Sequence, residues 1–145
     1  MSAVEDVDQL IERFNLAQGE LVKGNAEPAN ELFSSRDDVT LANPYGPPAH
    51  GWDEVAAAGE HTASQLRDGE MVGFETIEKY VTDELAYIVR VERARAKVGG
   101  SEDITPITLR VTIILRPEED GEWRIVYRHA DPITTPQPAE SVIQE

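Results

Sequence analysis

Val, Leu, Ile and Phe recur at intervals of three and four between residues 4 and 22. This spacing places them on one stripe of an amphipathic helix. Ser2, with Glu5 three residues later, has the pattern of a capping box at a helix start, and Gly24 is a suitable stop. The pattern therefore predicts a long first helix with one buried face.

A second amphipathic helix is predicted over residues 52–67, where the apolar and small residues share one side of a helical wheel. Between the two helices the pattern predicts short helical turns over residues 29–33 and a short strand over residues 39–42. Residues 44–51 include three prolines and two glycines. We therefore expect a loop there that is neither helix nor paired strand.

The chain from residue 70 to residue 131 is rich in Val, Ile, Thr and Tyr, which favour β-strands. The predicted strands span residues 71–81, 86–98, 105–116 and 123–130. Turn residues connect them, above all Asp120-Gly121, a pair typical of a β-hairpin. We expect an antiparallel sheet, followed by a loosely ordered tail over residues 132–145.

Helices followed by long antiparallel strands predict an α+β domain over residues 1–131. Long strands twist and curl, so we expect a cone in which a curved antiparallel sheet carries the helices on its concave face. The space between such a sheet and its helices is a common place for a small-molecule site.

The 145 residues include 13 Lys and Arg against 28 Asp and Glu, a net charge of −15. Nucleic acid and anionic membranes attract cationic surfaces, so neither is an expected partner. The absence of cysteine excludes disulfides, thiol nucleophiles and thiolate metal sites. Three scattered histidines form no metal-binding motif, and no glycine-rich phosphate motif occurs. The sequence therefore predicts neither a metal nor a cofactor.

The N-terminal segment is acidic and lacks the basic and apolar regions of a signal peptide. No apolar run approaches the roughly 18 residues of a membrane span. We therefore expect a cytoplasmic protein.

Four short motifs resemble those of SnoaL-like proteins, which belong to the nuclear transport factor 2 (NTF2) and ketosteroid isomerase superfamily. They are Pro44-Tyr45-Gly46 leading to Gly51-Trp52-Asp53-Glu54-Val55, then Leu109-Arg110-Val111-Thr112, then Asp120-Gly121-Glu122-Trp123-Arg124-Ile125-Val126, and last Arg128-His129-Ala130-Asp131. The resemblance covers residues 4 to 131 and implies the cystatin-like, NTF2-like cone. The resemblance implies an enzyme that acts on apolar small molecules in the cone, with one Asp or His that moves a proton and polar donors that hold an oxyanion.

His129 and Asp131 lie two residues apart on the last predicted strand and so share one face. One interpretation makes them catalytic, because a carboxylate can orient an imidazole that accepts a proton near neutral pH. In the other interpretation, His129 is a packing residue and Asp131 ends the strand.

Arg110 and Thr112 on one strand and Arg128 on the next are candidate ligand-binding residues. An arginine inside the cone would bind a carboxylate or enolate oxygen with two hydrogen bonds. The alternative is a solvated pair with one of the many carboxylates of the chain. Arg128 and His129 point to opposite faces in a regular strand, so at most one of them lines the cavity.

Tyr45 and Trp52 flank the proline-rich loop, which is able to border a pocket with an apolar wall and a polar tip. In the alternative interpretation, Trp52 anchors its helix on the core.

Apolar residues occupy both faces of the strand predicted over residues 86–98. A strand covered on both faces fits a sheet whose concave side closes the cavity and whose convex side meets a partner. We therefore expect a homodimer through the sheet.

Three functions fit these patterns. The first is a cofactor-free isomerase, cyclase, dehydratase or hydrolase that acts by general acid/base chemistry on a small, partly apolar ligand. His129 or Asp131 would move the proton, and Arg110 or Arg128 would stabilise the anion. The alternative is a dimeric ligand-binding or accessory module that performs no chemistry, or a structural dimerisation domain.

Overall fold

A computed structural model describes residues 2–144 of the chain. The helices and strands follow in this order: α1 (Ala3–Leu21), α2 (Glu27–Asn30), β1 (Thr40–Ala42), β2 (Ala49–His50), α3 (Trp52–Ser64), β3 (Leu66–Val81), β4 (Ala86–Val98), β5 (Thr105–Pro117) and β6 (Trp123–Asp131). A short 3-10 helix spans Ala139–Val142.

The strands form one curved six-stranded sheet in the order β2-β1-β6-β5-β4-β3. β1 runs parallel to β6, whereas the other neighbouring strands are antiparallel. The helices pack on one face of this sheet, in agreement with the predicted α+β architecture.

Side chains alternate between two faces of the sheet. The inner face packs against the helices and contains the buried residues Ile88, Val111 and Ile113. The outer face contains the half-buried or exposed residues that alternate with them on β4, β5 and β6: Tyr87, Val89, Val91, Arg110, Thr112, Ile114, Tyr127, His129 and Asp131. This alternation decides which side chains face the helices.

The helix α1 closes the open side of the cone. Its first turn is capped by Ser2, whose hydroxyl oxygen accepts a hydrogen bond from the Glu5 N–H, as the sequence predicted. Val7, Leu10 and Phe14 are buried at positions three and four apart. The predicted amphipathic helix therefore covers the inner face of the sheet with its apolar stripe.

Two local predictions were wrong. The third helix ends at Ser64 and the chain enters β3 at Leu66, earlier than the predicted strand start. Asp68 adopts a positive φ of 54°, and the Gly69 N–H bonds to the Val22 carbonyl, so an irregular strand starts where the sequence suggested a helix end. The proline-rich stretch also contains a paired strand, β2, because its last residues follow the prolines and pair with β1.

No helix within residues 2–144 is long and apolar enough to cross a membrane. Residues 132–144 are exposed throughout. Met1 and Glu145, which belong to the predicted domain and tail, lie outside the described residues, and the division between domain and tail stays a prediction.

Candidate functional site

A partly open cavity lies between the inner face of the sheet and the three helices. The space open to the centres of water-sized molecules is about 80 Å³, several times the roughly 10–15 Å³ that one water needs. Most of the wall is apolar. It is formed by Phe14, Leu21, Val22, Ala29, Phe33, Leu41, Leu66, Met71, Ala94, Ile107, Leu109 and Ala130, with polar or charged groups at Gln18, Asn30, Asn43, Tyr45, Thr62, Glu92 and Arg128.

Glu92 and Arg128 are the charged residues of this wall, and both are buried. Arg128 binds the carboxylate with both ends of its guanidinium group: Nη2 donates to Oε1 at 2.7 Å and Nη1 donates to Oε2 at 2.9 Å. Gln18 Nε2 also donates to Oε1 at 3.3 Å, and Arg90 Nε donates to Oε2 at 2.9 Å. The carboxylate thus accepts four hydrogen bonds, about the number that its lone pairs allow.

Arg90 is buried behind this pair, with 2% of its surface exposed. Its Nη1 donates to Asn15 Oδ1 at 2.6 Å. Its Nη2 lies 2.8 Å from Glu92 Oε2 but makes no hydrogen bond of acceptable angle within the described chain. We call Arg90, Glu92 and Arg128 the charged triad.

The two arginines of the charged triad determine the protonation state of Glu92. Burial by itself raises the pKa of this carboxyl, but the charges and hydrogen bonds of Arg128 and Arg90 outweigh burial and lower the pKa to about 2. Burial also lowers the pKa of Arg90, an effect that Arg128 reinforces and Glu92 opposes. Glu92 is therefore a carboxylate at neutral pH, with its lone pairs already occupied.

Aromatic rings hold the two guanidinium groups in place. The Arg128 guanidinium carbon lies 5.3 Å from the ring centre of Phe14, and that of Arg90 lies 4.4 Å from the ring centre of Phe74. Both distances allow cation–π attraction. Phe14 and Gln18 are four residues apart on α1, so one helix face supplies a ring to Arg128 and an amide to Glu92.

Tyr45 lines the cavity from the loop between β1 and β2. With Leu41 and Asn43 it lines both the cavity and a second pocket that is bounded by Pro47 and His61. Tyr45 therefore stands between the buried space and the protein surface. Burial raises the pKa of its phenol, so the hydroxyl is neutral at physiological pH.

Two asparagine side chains of the cavity wall, Asn43 and Asn30, form hydrogen bonds with neighbouring elements. Asn43 accepts a hydrogen bond from the Tyr45 N–H at 3.0 Å and donates to Thr62 Oγ1 at 3.0 Å. Asn30 donates to the Ala56 carbonyl at 3.3 Å. These contacts join the loop and the helices α2 and α3 around the cavity.

Two of the seven predicted site residues line the cavity, Arg128 and Tyr45. Arg110, Thr112, His129 and Asp131 lie together on the outer face of the sheet. Arg110 Nε donates to Asp131 Oδ1 at 2.8 Å, and His129 Nε2 lies 3.3 Å from Asp131 Oδ2. Burial raises the pKa of Asp131, but the hydrogen bonds from Arg110 and from the Ile133 N–H lower it overall.

The placement of His129 and Asp131 corrects the mechanism that the sequence suggested. Arg128 turns inward to bind Glu92, and the alternation of the strand turns His129 outward. A proton shuttle formed by His129 or Asp131 inside the cone does not fit this geometry. Arg110 and Thr112 do not contribute to the cavity for the same reason.

Trp52 is also outside the cavity wall. It is the first residue of α3 and packs half-buried against the core, which fits the anchoring alternative.

Sequence reasoning missed Glu92, Arg90 and Gln18 as members of the site. A signal was present, because Arg90 and Glu92 share a strand face with Ala86, Ile88 and Ala94. Charged residues on an otherwise apolar face are rarely buried unless they are paired. Within residues 2–144, no group of three or more His, Asp and Glu side chains is placed to hold a metal ion.

Comparisons with solved structures find the same fold. The chain is similar to an NTF2-like superfamily protein from Salmonella enterica serovar Typhimurium, with a TM-score of 0.76, 15% identity and 94% of each chain covered. It is also similar to a ketosteroid isomerase-like protein from Erwinia carotovora atroseptica, with a TM-score of 0.72 and 17% identity over 88% of this chain and 94% of the other.

An NTF2-like protein of unknown function from Shewanella oneidensis has a TM-score of 0.64 and 21% identity, over 90% of this chain and 99% of the other. No family model and no curated protein sequence matches the chain. Identities this low show the fold alone. They confirm the predicted cone: the chain has the NTF2-like, ketosteroid isomerase-like fold.

Proposed function

We propose that this chain binds a small, partly apolar organic molecule in the cavity of the cone. One observation carries the proposal: the cavity wall is mostly apolar and includes a small set of polar groups, among them Arg128 and Tyr45. Ligand pockets generally combine an apolar wall with a few fixed polar groups in this way. The fold shared with a ketosteroid isomerase-like protein supports the proposal.

Binding without chemistry is the form of this function that the geometry favours. Glu92 accepts four hydrogen bonds and is charged at neutral pH. In the described residues the wall contains no imidazole and no second carboxyl group. A general base needs a free lone pair within reach of the proton that it accepts. None of the carboxyl or imidazole groups around this cavity meets that condition.

Acid catalysis by Tyr45 is a second candidate function. No described residue hydrogen-bonds the Tyr45 hydroxyl, and burial keeps that hydroxyl protonated. A neutral phenol at the cavity wall is able to donate a hydrogen bond or a proton to a ligand oxygen. The isomerase, cyclase, dehydratase and hydrolase activities suggested by the sequence would each depend on this group rather than on His129.

The proposal is tested by closing the cavity. Ile107 lines it from β5, so Ile107→Trp puts an indole into the space that a ligand would occupy. Val72 is 59% exposed on β3 and lies outside the cavity wall, which makes Val72→Trp the matched control. A panel of small organic molecules is titrated into all three proteins, and binding is measured by ligand-observed NMR and by thermal unfolding.

We expect the wild type and Val72→Trp to bind the same compounds and Ile107→Trp to lose at least about tenfold in affinity. Circular dichroism checks that the variants are folded. Equal affinities for Ile107→Trp and the wild type would place any binding outside the cavity and contradict the proposal.

We also propose that two copies associate through the outer face of the sheet. Tyr87, Val89 and Ile114 are half-buried there in the single chain. Tyr80 is 54% exposed and stacks on Tyr87 at a centroid distance of 5.6 Å. A patch of aromatic and β-branched side chains on a broad sheet is typical of an interface between identical subunits.

A further inference from the structure

The charged triad has a net charge of one positive unit, and two of its members, Glu92 and Arg128, line the cavity. Arg90 and Arg128 are each cationic, and Glu92 supplies the one negative charge that pairs with both. Arg90 and Glu92 are each 2% exposed, and Arg128 is 6% exposed. Among the described residues, no second carboxylate forms an ion pair with either arginine. A cation without a full counter-charge is costly when it is buried.

Arg128 also has hydrogen-bond donors to spare. Its hydrogen bonds within the described chain go to Glu92 alone, through Nη1 and Nη2. A guanidinium group has further N–H donors on these atoms and on Nε. The residue lines the cavity, so a molecule in the cavity would meet donors that the protein does not use.

The rest of the wall selects for size and apolar character. Of the cavity-lining residues in the described chain, Glu92 and Arg128 carry the only charges, and most of the others are aliphatic or aromatic. The space open to the centres of water-sized molecules, about 80 Å³, suits a compact ligand. Its polar end would be held by Arg128, and its body would contact the apolar wall.

We infer that the ligand is a compact organic monoanion, a carboxylate with an apolar body, whose charge offsets the surplus positive charge of Arg90, Glu92 and Arg128. This inference rests on the proposed function and names its ligand class. The carboxylate oxygens accept hydrogen bonds from the unused N–H groups of Arg128. Arg90 does not line the cavity, and it contributes through its charge.

The chain as a whole has a net charge of −15, which disfavours anions at its surface. The charged triad, in contrast, has a net positive charge. Such a site gains selectivity because a neutral analogue leaves the surplus cation uncompensated, whereas the carboxylate neutralises it.

Matched pairs of ligands test the inference: benzoate with benzamide, isovalerate with isovaleramide, and acetate with acetamide. Each pair has nearly the same shape and differs in charge. Affinities are measured by isothermal titration calorimetry and ligand-observed NMR at pH 7. We expect at least one carboxylate to bind about tenfold or more tightly than its amide, because hydrogen bonds to charged groups are stronger than those between neutral groups.

Two variants separate the roles of the arginines. Arg128→Gln removes the proposed ligand contact and leaves Glu92 paired with Arg90, so the carboxylate preference should disappear. Arg90→Gln leaves the Arg128–Glu92 pair in place and removes the surplus charge, so the preference should fall severalfold while amide binding is unchanged. The second variant keeps the test valid if the first does not fold.

Three outcomes are distinguishable. A carboxylate preference that both variants reduce supports the inference. Amides that bind as tightly as carboxylates, and are excluded by Ile107→Trp, would overturn the inference and leave the proposed function standing. Failure of every pair and of the wider panel to bind at millimolar concentration would overturn both.

Discussion

Glu92 shows how neighbouring groups decide what a carboxylate does. Its position in an apolar cavity raises its pKa, the effect that keeps some buried carboxyl groups protonated and able to donate. Here the two arginines outweigh burial and hold the pKa at about 2. With its oxygens occupied by Arg128, Arg90 and Gln18, Glu92 positions the arginines and has no free lone pair for proton transfer at neutral pH.

Replacement of Glu92 with Gln should destabilise the fold, because it leaves two buried guanidinium groups without a counter-charge. We expect a loss of about 3–5 kcal/mol in the free energy of unfolding at pH 7, measured by urea denaturation. Glu75→Gln is the control, since Glu75 is 56% exposed and pairs with Arg93 at the surface. It should change stability by no more than about 1 kcal/mol.

The effect of Glu92→Gln should also depend on pH. The folded-state pKa of Glu92 lies below its ordinary value of 4.5, so its stabilising contribution is present above that value and is lost as pH falls towards 2. The stability difference between wild type and variant should therefore narrow between about pH 5 and pH 2. A difference that stays constant over this range would show that the charge of Glu92 does not stabilise the fold.

At the scale of elements, the cavity depends on how closely α2 and α3 approach. Gly59 on α3 faces Asn30 at the end of α2, and a Cβ at position 59 would overlap the Asn30 side chain. The missing side chain lets Asn30 reach the Ala56 carbonyl and contribute to the cavity wall. A residue that weakens a helix by itself thus permits the packing of two helices.

Gly59→Ala should destabilise the protein even though alanine is the better helix former. The added Cβ forces the Asn30 amide to move from its hydrogen bond with the Ala56 carbonyl. The clash and the lost hydrogen bond together are expected to cost about 2–3 kcal/mol, against the roughly 1 kcal/mol that alanine adds to a helix. Gly19→Ala on α1 is the matched control, because a Cβ there meets no atom within 4 Å. Thermal unfolding should show a lower Tm for the first variant and an equal or higher Tm for the second.

At the scale of the whole molecule, the two faces of the sheet differ in what they bury. The inner face closes on the helices and the charged triad, and the outer face presents a half-buried apolar patch with the Arg110–Asp131 ion pair beside it. A second copy on the outer face would cover that patch. The net charge of −15 per chain opposes this association, so added salt should strengthen it by screening the repulsion.

Val89→Glu should convert a dimer formed through the outer face into monomers. Val89 lies opposite Thr112 in that face, so the variant would bury two unpaired carboxylates in the interface. Sedimentation equilibrium at micromolar concentration should show a dimer for the wild type and for the control Leu16→Glu, whose side chain is 73% exposed on helix α1. The dissociation constant should be at least about tenfold higher for Val89→Glu. A monomeric wild type would contradict the proposed dimer.

Much of the fold could be predicted because its signals are local. The first helix, the hairpin at Asp120-Gly121 and the strand Ala86–Val98 follow from periodicity and turn chemistry within a few residues. The β2 pairing and the early start of β3 were missed because they depend on contacts with β1 and with Val22. Backbone contacts between distant segments leave no periodic signal in the chain.

For the site, alternation along β6 already required Arg128 and His129 to face opposite sides. Only the tertiary structure shows that Arg128 is the one that faces inward. It does so because it binds Glu92, 36 residues away along the chain, and Glu92 in turn is bound by Gln18, 74 residues further towards the N-terminus. An isolated strand has no buried face. The cavity and its surplus positive charge form only when α1, β4 and β6 pack together. The reason is that burial, neighbouring charges and hydrogen bonds together set the ionisation of a buried group.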